Sequence, residues 1–136
     1  MANTDAIVND LVVTTFNNMK IKNTNRYITY KFSDNLTEII VDSQGDRSAS
    51  HDDFLAQLPD DDCRYAVEWF DYSNSTGSSL IFFLWMPDDA NTKSKMLYKI
   101  NKDNLKRSLP GIKTEIQGSE KSDVALDVVM DKLDRV

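Results

Sequence analysis

One cysteine, one histidine, four glycines and three prolines are all that this 136-residue chain holds of the residues that carry most covalent chemistry, metal binding and tight turns. Cys63 has no second cysteine to pair with. An intramolecular disulfide and a cysteine-based metal site are thereby excluded, in keeping with a reducing compartment, and the thiol is expected to be buried and structural. So few glycines leave no phosphate-binding loop, there is no Gly-x-Ser-x-Gly, and a lone histidine gives general acid–base chemistry little to work with. The chain is therefore not expected to be an enzyme, and no cofactor or metal is required. The longest strictly apolar run, Leu80 to Met86, is far too short to span a bilayer. The N-terminus lacks the basic start and apolar stretch of a signal peptide, so the expected location is cytoplasmic. Positive charge is also in the minority. With 16 Lys and Arg against 22 Asp and Glu, the net charge of −6 argues against any general attraction to nucleic acid.

What is there suits one soluble domain spanning 1–136: 40% hydrophobic and 28% charged residues, enough for a single core. From Thr4 to about Met19, the positions Val8, Leu11, Val12, Thr15, Phe16 and Met19 keep helical spacing, with Thr4 as the expected cap. Arg26 to Phe32 and Leu36 to Val41 read as a β-hairpin joined through Ser33-Asp34-Asn35, and polar Asp42 to Ser50 as a surface loop. A short helix from about Ser50 to Leu58 carries Phe54, Leu55 and Leu58 at core spacing and is stopped by Pro59; His51, in its first turn, is expected to face solvent. Asp60, Asp61 and Asp62 are consecutive, so they cannot converge on one ion, and the glycine and glutamate of a calcium loop are missing. They read as an acidic turn.

Arg64 to Tyr72 is a strand, and Leu80 to Met86 is so apolar that both of its faces must be covered, which makes it central. Ile112 to Ile116 follows a helix and so pairs in parallel through a crossover. A last helix has Leu126, Val129, Met130 and Leu133 as its buried stripe, with Asp131 and Arg135 four apart on the other side. The sum is a mixed α/β fold, with about five strands in a central mixed sheet and helices on both faces.

The most informative stretch is Trp85 to Gly111. Asp89 is a good N-cap, and a helix from about Ala90 to Leu109 turns Ala90, Ser94, Leu97, Tyr98, Asn101, Leu105 and Leu109 to the core. That leaves Met96 and Ile100 on the opposite side beside Lys93 and Arg107, with Lys95, Lys102 and Lys106 along the flank. Two apolar side chains among cations are either covered by another part of the same chain or form a ridge for a groove on an acidic partner.

Trp85, Pro87, Ala90, Lys93-Ser94-Lys95-Met96, Tyr98, Lys102-Asp103, Leu105-Lys106-Arg107 and Gly111 reproduce, spacing for spacing, the long-helix pattern of the ADF/cofilin family of actin-binding proteins, and the chain resembles that family over nearly its whole length. Leu58-Pro59, Asp60 to Asp62 and Cys63-Arg64-Tyr65 match a second family segment. The resemblance implies the ADF-homology, gelsolin-like fold, a monomer located at the actin cytoskeleton, and an actin-binding role on monomer and filament that promotes filament depolymerisation and turnover without a cofactor. It implies that Lys93, Lys95 and Met96, with Ile100 on the same ridge and Thr4 and Asp5 beside it, meet both forms of actin. Lys102, Asp103, Lys106 and Arg107 match a surface for actin and phosphoinositide lipids, and Asp131 and Arg135 a filament-specific one. Thr4 stands where the family has a regulatory phosphorylated serine, although an acid follows it here instead of glycine. Ser73 to Ser79 is shorter than the basic hairpin that strong filament binders project, which lowers the expected severing. Alternatives of the same fold are a non-severing coactosin-like or glia-maturation-factor-like regulator; a phosphoinositide-binding module is a third.

Overall fold

An apolar strand that must bury both faces needs a layer of helices on each side, and the chain builds that arrangement around β5 (Ser78–Trp85). In the computed structural model, which describes residues 6–71 and 78–134, β5 pairs antiparallel with β4 (Arg64–Asp71) and parallel with β6 (Ile112–Gly118). Next to β4 comes β2 (Asn25–Phe32), antiparallel to it, then β3 (Glu38–Asp46), antiparallel to β2, and the two-residue β1 (Ile7–Val8) lies parallel to β3 at the edge. The order is β1-β3-β2-β4-β5-β6. The sheet is mixed, as expected, and the sixth strand is the short edge piece.

Alternate residues of β5 feed two cores, as the period-two geometry of a strand requires. Leu80, Phe82 and Leu84 pack with Val12, Phe16 and Met19 of α1 (Asp10–Lys22) and with Tyr98 and Leu105 of α3 (Thr92–Arg107). Ile81, Phe83 and Trp85 pack with Phe54 of α2 (His51–Leu55) and with Val129 and Leu133 of α4 (Leu126–Asp134).

Several boundaries differ from the sequence reading, each for a local reason. Helix α1 starts after Asn9, whose side chain accepts from the Leu11 N–H, because Ile7 and Val8 are taken by pairing with β3. Leu11 is consequently 65% exposed, and the expected cap, Thr4, lies outside the described residues. Strand β3 continues to Asp46, into the polar segment Asp42 to Ser50 expected to be a loop, and 47–50 are turn and loop. Its polar side chains pair across the ladder instead, with the Thr29 hydroxyl 3.0 Å from Asp42 and 2.6 Å from Ser43. Gly45 is needed there because a Cβ would sit 2.0 Å from the Tyr27 ring. Helix α2 ends at Leu55 rather than Leu58, although Leu58 is still buried, and Leu126 on α4 is half exposed instead of belonging to the buried stripe. Tyr72, expected to end the fourth strand, lies outside the described residues.

The largest correction concerns His51, which is only 6% exposed. Ser50 forms a capping box with Asp53 and so fixes the first turn of α2. That turn directs the imidazole inward, where Nδ1 lies 2.8 and 2.9 Å from the two carboxylate oxygens of buried Glu68 and Nε2 lies 2.8 Å from the Val124 carbonyl. The Val124 carbonyl only accepts, so Nε2 donates to it, and wherever Glu68 is ionised Nδ1 donates as well and the ring is an imidazolium. Arg26 Nη2 is 3.5 Å from the same carboxylate, and the rings of Phe54 and Phe70 flank the imidazole. Burial by itself would lower the His51 pKa, but the hydrogen bond and charge of Glu68 and the Val124 carbonyl outweigh it and raise the value, against a smaller opposing push from Arg26. Burial also raises the Glu68 pKa despite His51 and Arg26.

Both groups therefore hold protons more tightly in the folded than in the unfolded chain. Their contribution is fully present below the unfolded values and is lost as pH rises through the raised folded ones. The unfolding temperature is therefore expected to fall as pH rises above the ordinary histidine value of about 6.5. His51→Gln should flatten that slope. Equal slopes for parent and variant in thermal melts across the range would refute the assignment.

Candidate functional site: the outer face of α3

The turn from Pro87 to Ala90, closed by the Ala90 N–H on the Pro87 carbonyl at 3.0 Å, delivers Asn91 in an extended conformation just before the first helical residue. Asn91, and not Asp89, is therefore the cap, accepting from the Ser94 N–H at 2.7 Å. At the other end α3 stops at Arg107, and Gly111 takes φ +97 on the way into β6.

The inward stripe is the one the spacing predicts. Tyr98, Asn101 and Leu105 are buried, the Tyr98 hydroxyl accepts from the Phe32 N–H, and the Tyr65 hydroxyl donates to the Tyr98 carbonyl at 2.6 Å. On the opposite side Met96 is 57% and Ile100 49% exposed, with Lys93 and Arg107 also exposed. No described part of the chain covers the two apolar side chains.

The flanking cations are not all free. Lys95 donates to the Asp88 carbonyl at 3.0 Å. Lys102 and Lys106 both donate to Glu115 on β6, at 2.7 and 2.6 Å, so one carboxylate neutralises half of that pair's charge. The Glu115 hydrogen bond raises the Lys102 pKa against burial. Burial would lift the Glu115 carboxyl, but the two lysines hold it below its usual range. Asp103 is exposed on the same helix.

Two asparagines that the sequence did not mark as functional bring the start of the described chain to this helix. Asn101 Oδ1 accepts from the Ala6 N–H at 2.8 Å, and Asn104 Nδ2 donates to the Ala6 carbonyl at 2.7 Å. The one available signal was an asparagine at a core position, since a buried carboxamide needs partners. Thr4 and Asp5 lie outside the described residues, as does Arg135. Asp131 is exposed on α4, which packs on the other side of the sheet from α3, so the structure does not join it to the Met96 surface.

Nothing else among the described residues is poised for chemistry. Cys63 is fully buried, and burial together with Asp62 pushes its thiol pKa up to about 11. Asp62 is engaged by Arg64 at 2.9 Å, and no group of three His, Cys, Asp or Glu side chains is arranged to hold a metal ion.

The family described as "Cofilin/tropomyosin-type actin-binding protein" matches residues 5–134. The chain is 44% identical to a cofilin of Yarrowia lipolytica over 99% of its own length and 90% of that protein. It is 39% identical to Actin-depolymerizing factor 3 of Zea mays over 96% of both chains. Among solved structures, the Streptomyces griseoflavus cofilin crystal structure aligns with a TM-score of 0.90 at 41% identity, covering 96% of this chain and 98% of that one.

The division of α3 into faces predicts opposite costs. Met96→Ala and Ile100→Ala together should change unfolding free energy by less than about 1 kcal/mol, the range of surface substitutions, whereas Leu105→Ala should cost about 2–5 kcal/mol through the cavity it leaves. Chemical denaturation of the variants measures both.

Proposed function

The chain belongs to the ADF/cofilin family of actin-binding proteins, and from that premise we propose that it binds actin through the outer face of α3, takes both monomer and filament, and promotes filament depolymerisation with weak severing. The observation that carries this reading is the exposed Met96–Ile100 ridge with Lys93 and Arg107 at its rim. An apolar centre supplies contact energy once desolvated, and a cationic rim supplies orientation and association rate against an acidic surface such as that of actin. Met96, Ile100, Lys93 and Lys95 touch monomer and filament alike, and Thr4 and Asp5 join them. Asp131, on the far layer, and Arg135 form the filament-specific contact. The protein works as a monomer in the cytoplasm, and phosphorylation of Thr4 would set a dianion beside an acidic partner and weaken binding.

Severing is the weaker activity in this reading because residues 73–79 are short and uncharged. Filament turnover then comes chiefly from subunit removal and monomer handling. The test is sedimentation of filaments with the subunit pool measured in the supernatant. Lys93→Ala with Lys95→Ala is expected to weaken monomer and filament binding about tenfold, a loss of about 1.4 kcal/mol, while the unfolding temperature stays within a few degrees. A folded double variant that binds monomer as tightly as the parent would refute the surface.

Phosphoinositide lipids are a second ligand class in the proposal, served by Lys102, Lys106 and Arg107 around Asp103. Glu115 already occupies two of those cations, which makes this binding weak. Glu115→Gln should raise affinity for anionic vesicles several-fold, since each freed cation near such a surface is worth about 1 kcal/mol. The gain should shrink as salt rises. Vesicle flotation that shows no gain would sink the lipid assignment.

A further inference from the structure

Between the end of β3 and α2 lies an open notch of about 440 Å3, whose lining includes Tyr27, Gln44, Asp46, Asp53 and Gln57. It is on the opposite side of the sheet from α3, since Tyr27 and Phe54 belong to the core under α2 and α4. Tyr27 stands opposite Gly45 in the ladder of β2 and β3, and the missing side chain there lets its ring lie over the β3 backbone, with the Phe54 ring 5.6 Å away. The residue is only 5% exposed. Its hydroxyl makes no hydrogen bond to a described residue and is not among the enclosed polar atoms, so the phenol oxygen is the part of the side chain that opens on the notch. A buried polar side chain normally has a partner, and this one is aimed at a space where the chain supplies none.

The walls of that space are acceptors. Asp46 Oδ1 accepts from the Ser48 hydroxyl at 2.6 Å and the Ser48 N–H at 3.0 Å, which together hold its carboxyl below the usual range, and Asp53 Oδ2 accepts from the Ser50 N–H at 2.9 Å. The second oxygen of each carboxylate is bonded to no described group. Burial first, and then the charges of Asp53 and Asp46, raise the Tyr27 pKa, so the hydroxyl keeps its proton and both carboxylates are near enough to act on it. No described lysine or arginine lines the notch, and Arg26, which donates to the Ala49 carbonyl beside it, is held by Glu68.

We propose that this notch is a binding site for the guanidinium of an arginine carried by a partner protein, with Asp46 accepting from the β3 side, Asp53 from the α2 side and the Tyr27 oxygen between them. A guanidinium presents five N–H donors in a planar fork and can serve all three acceptors at once, whereas an ammonium is a point charge on a flexible stem. A metal ion is a poorer fit, because no group of three His, Cys, Asp or Glu side chains is arranged to hold one among the described residues. Asp52, exposed beside Asp53, extends the acidic surface past the notch, which suits a basic segment of chain better than an isolated small amine. The site stands apart from the reading of α3, whose outer face stays open when the notch is filled.

The probe is an acetylated, amidated peptide of three arginines separated by glycines, compared with the same peptide carrying lysines, and added to the isotope-labelled full chain while backbone amide shifts are followed by NMR. Expected is saturable movement confined to Gln44 to Asp46 and Asp53 to Gln57, weakening as salt rises. Affinity should fall about fivefold in Tyr27→Phe, which keeps the ring over Gly45, and about tenfold in Asp46→Asn, the range for losing one hydrogen bond to a charged group. Both variants should melt within a few degrees of the parent, because the phenol oxygen has no partner to lose and Asp46 is exposed. The lysine peptide should bind several-fold more weakly. The proposal is overturned if the shifts spread equally over the acidic turn Asp60 to Asp62, as diffuse charge attraction would give, or if no shift saturates. It is also overturned if either folded variant binds as tightly as the parent, or if the lysine peptide matches the arginine one.

Discussion

Two-sided burial of β5 is the constraint from which the rest of the architecture follows. A strand with Leu80, Phe82 and Leu84 on one face and Ile81, Phe83 and Trp85 on the other cannot be stable with a single layer. At about 1.5–3 kcal/mol for each large apolar side chain fully buried, either face left wet would cost a large part of a domain's usual margin of about 5–15 kcal/mol. Helices must therefore cover both sides, and α3, as the connection between parallel β5 and β6, is obliged to cross one of them. Its inner stripe is consumed by that obligation. What remains open to solvent is the face turned outward, where Met96 and Ile100 stand clear of the core.

The two layers have different characters. Under α3 the core is almost wholly apolar; the Tyr65 and Tyr98 hydroxyls are satisfied by backbone groups, whereas the Tyr30 hydroxyl is buried without a hydrogen-bond partner. Under α2 and α4 it contains a buried ionic cluster, His51 with Glu68 and Arg26, which ties the start of α2 to β4 and to the turn that precedes α4. Removing His51 from this cluster would leave the buried Glu68 carboxylate with Arg26 alone, at 3.5 Å, and a buried charge left weakly paired costs more than the pair contributes by being present. The pH-sensitive layer is thus the one remote from the Met96 ridge, and protonation changes act on stability before they act on the α3 surface.

The fold was legible because its strongest signals are periodic. β5 as a continuous apolar run, α3 as a 3.6-residue stripe and the β5-α3-β6 crossover are all visible in the residue order, as is the outward position of Met96 and Ile100. What stayed hidden depends on partners distant in sequence. His51 in a first turn looks solvent-facing until Glu68, 17 residues on, and Val124, 73 residues on, are brought to it. Asp42, Ser43 and Gln44 look like loop because their ladder partners on β2 are invisible to a local pattern. Asn9 and Asn91 displaced the expected caps Thr4 and Asp89, since the choice among several adjacent cap-forming residues is settled by where the preceding strand or turn releases the chain. In the site, Lys102 and Lys106 looked free because Glu115 belongs to another element.

That last pairing shapes how the surface works. The molecule is acidic overall, with its cations concentrated between Lys93 and Lys113, so their local field is what an acidic partner meets first. Glu115 divides this field in two. Along the flank it turns two ammonium groups inward and lowers their net charge, while Lys93 and Arg107 at the rim of the ridge stay exposed. Attraction is therefore greatest where the apolar contact is also available, and weaker where only charge is on offer. A flat anionic surface, which rewards the number of cations and has no groove for Met96 and Ile100, gains less from this arrangement than a protein partner with a cleft. By binding two lysines at once, Glu115 lowers the net charge of the flank relative to the rim, and it does so from β6, an element fixed by the sheet rather than by the helix that carries the lysines.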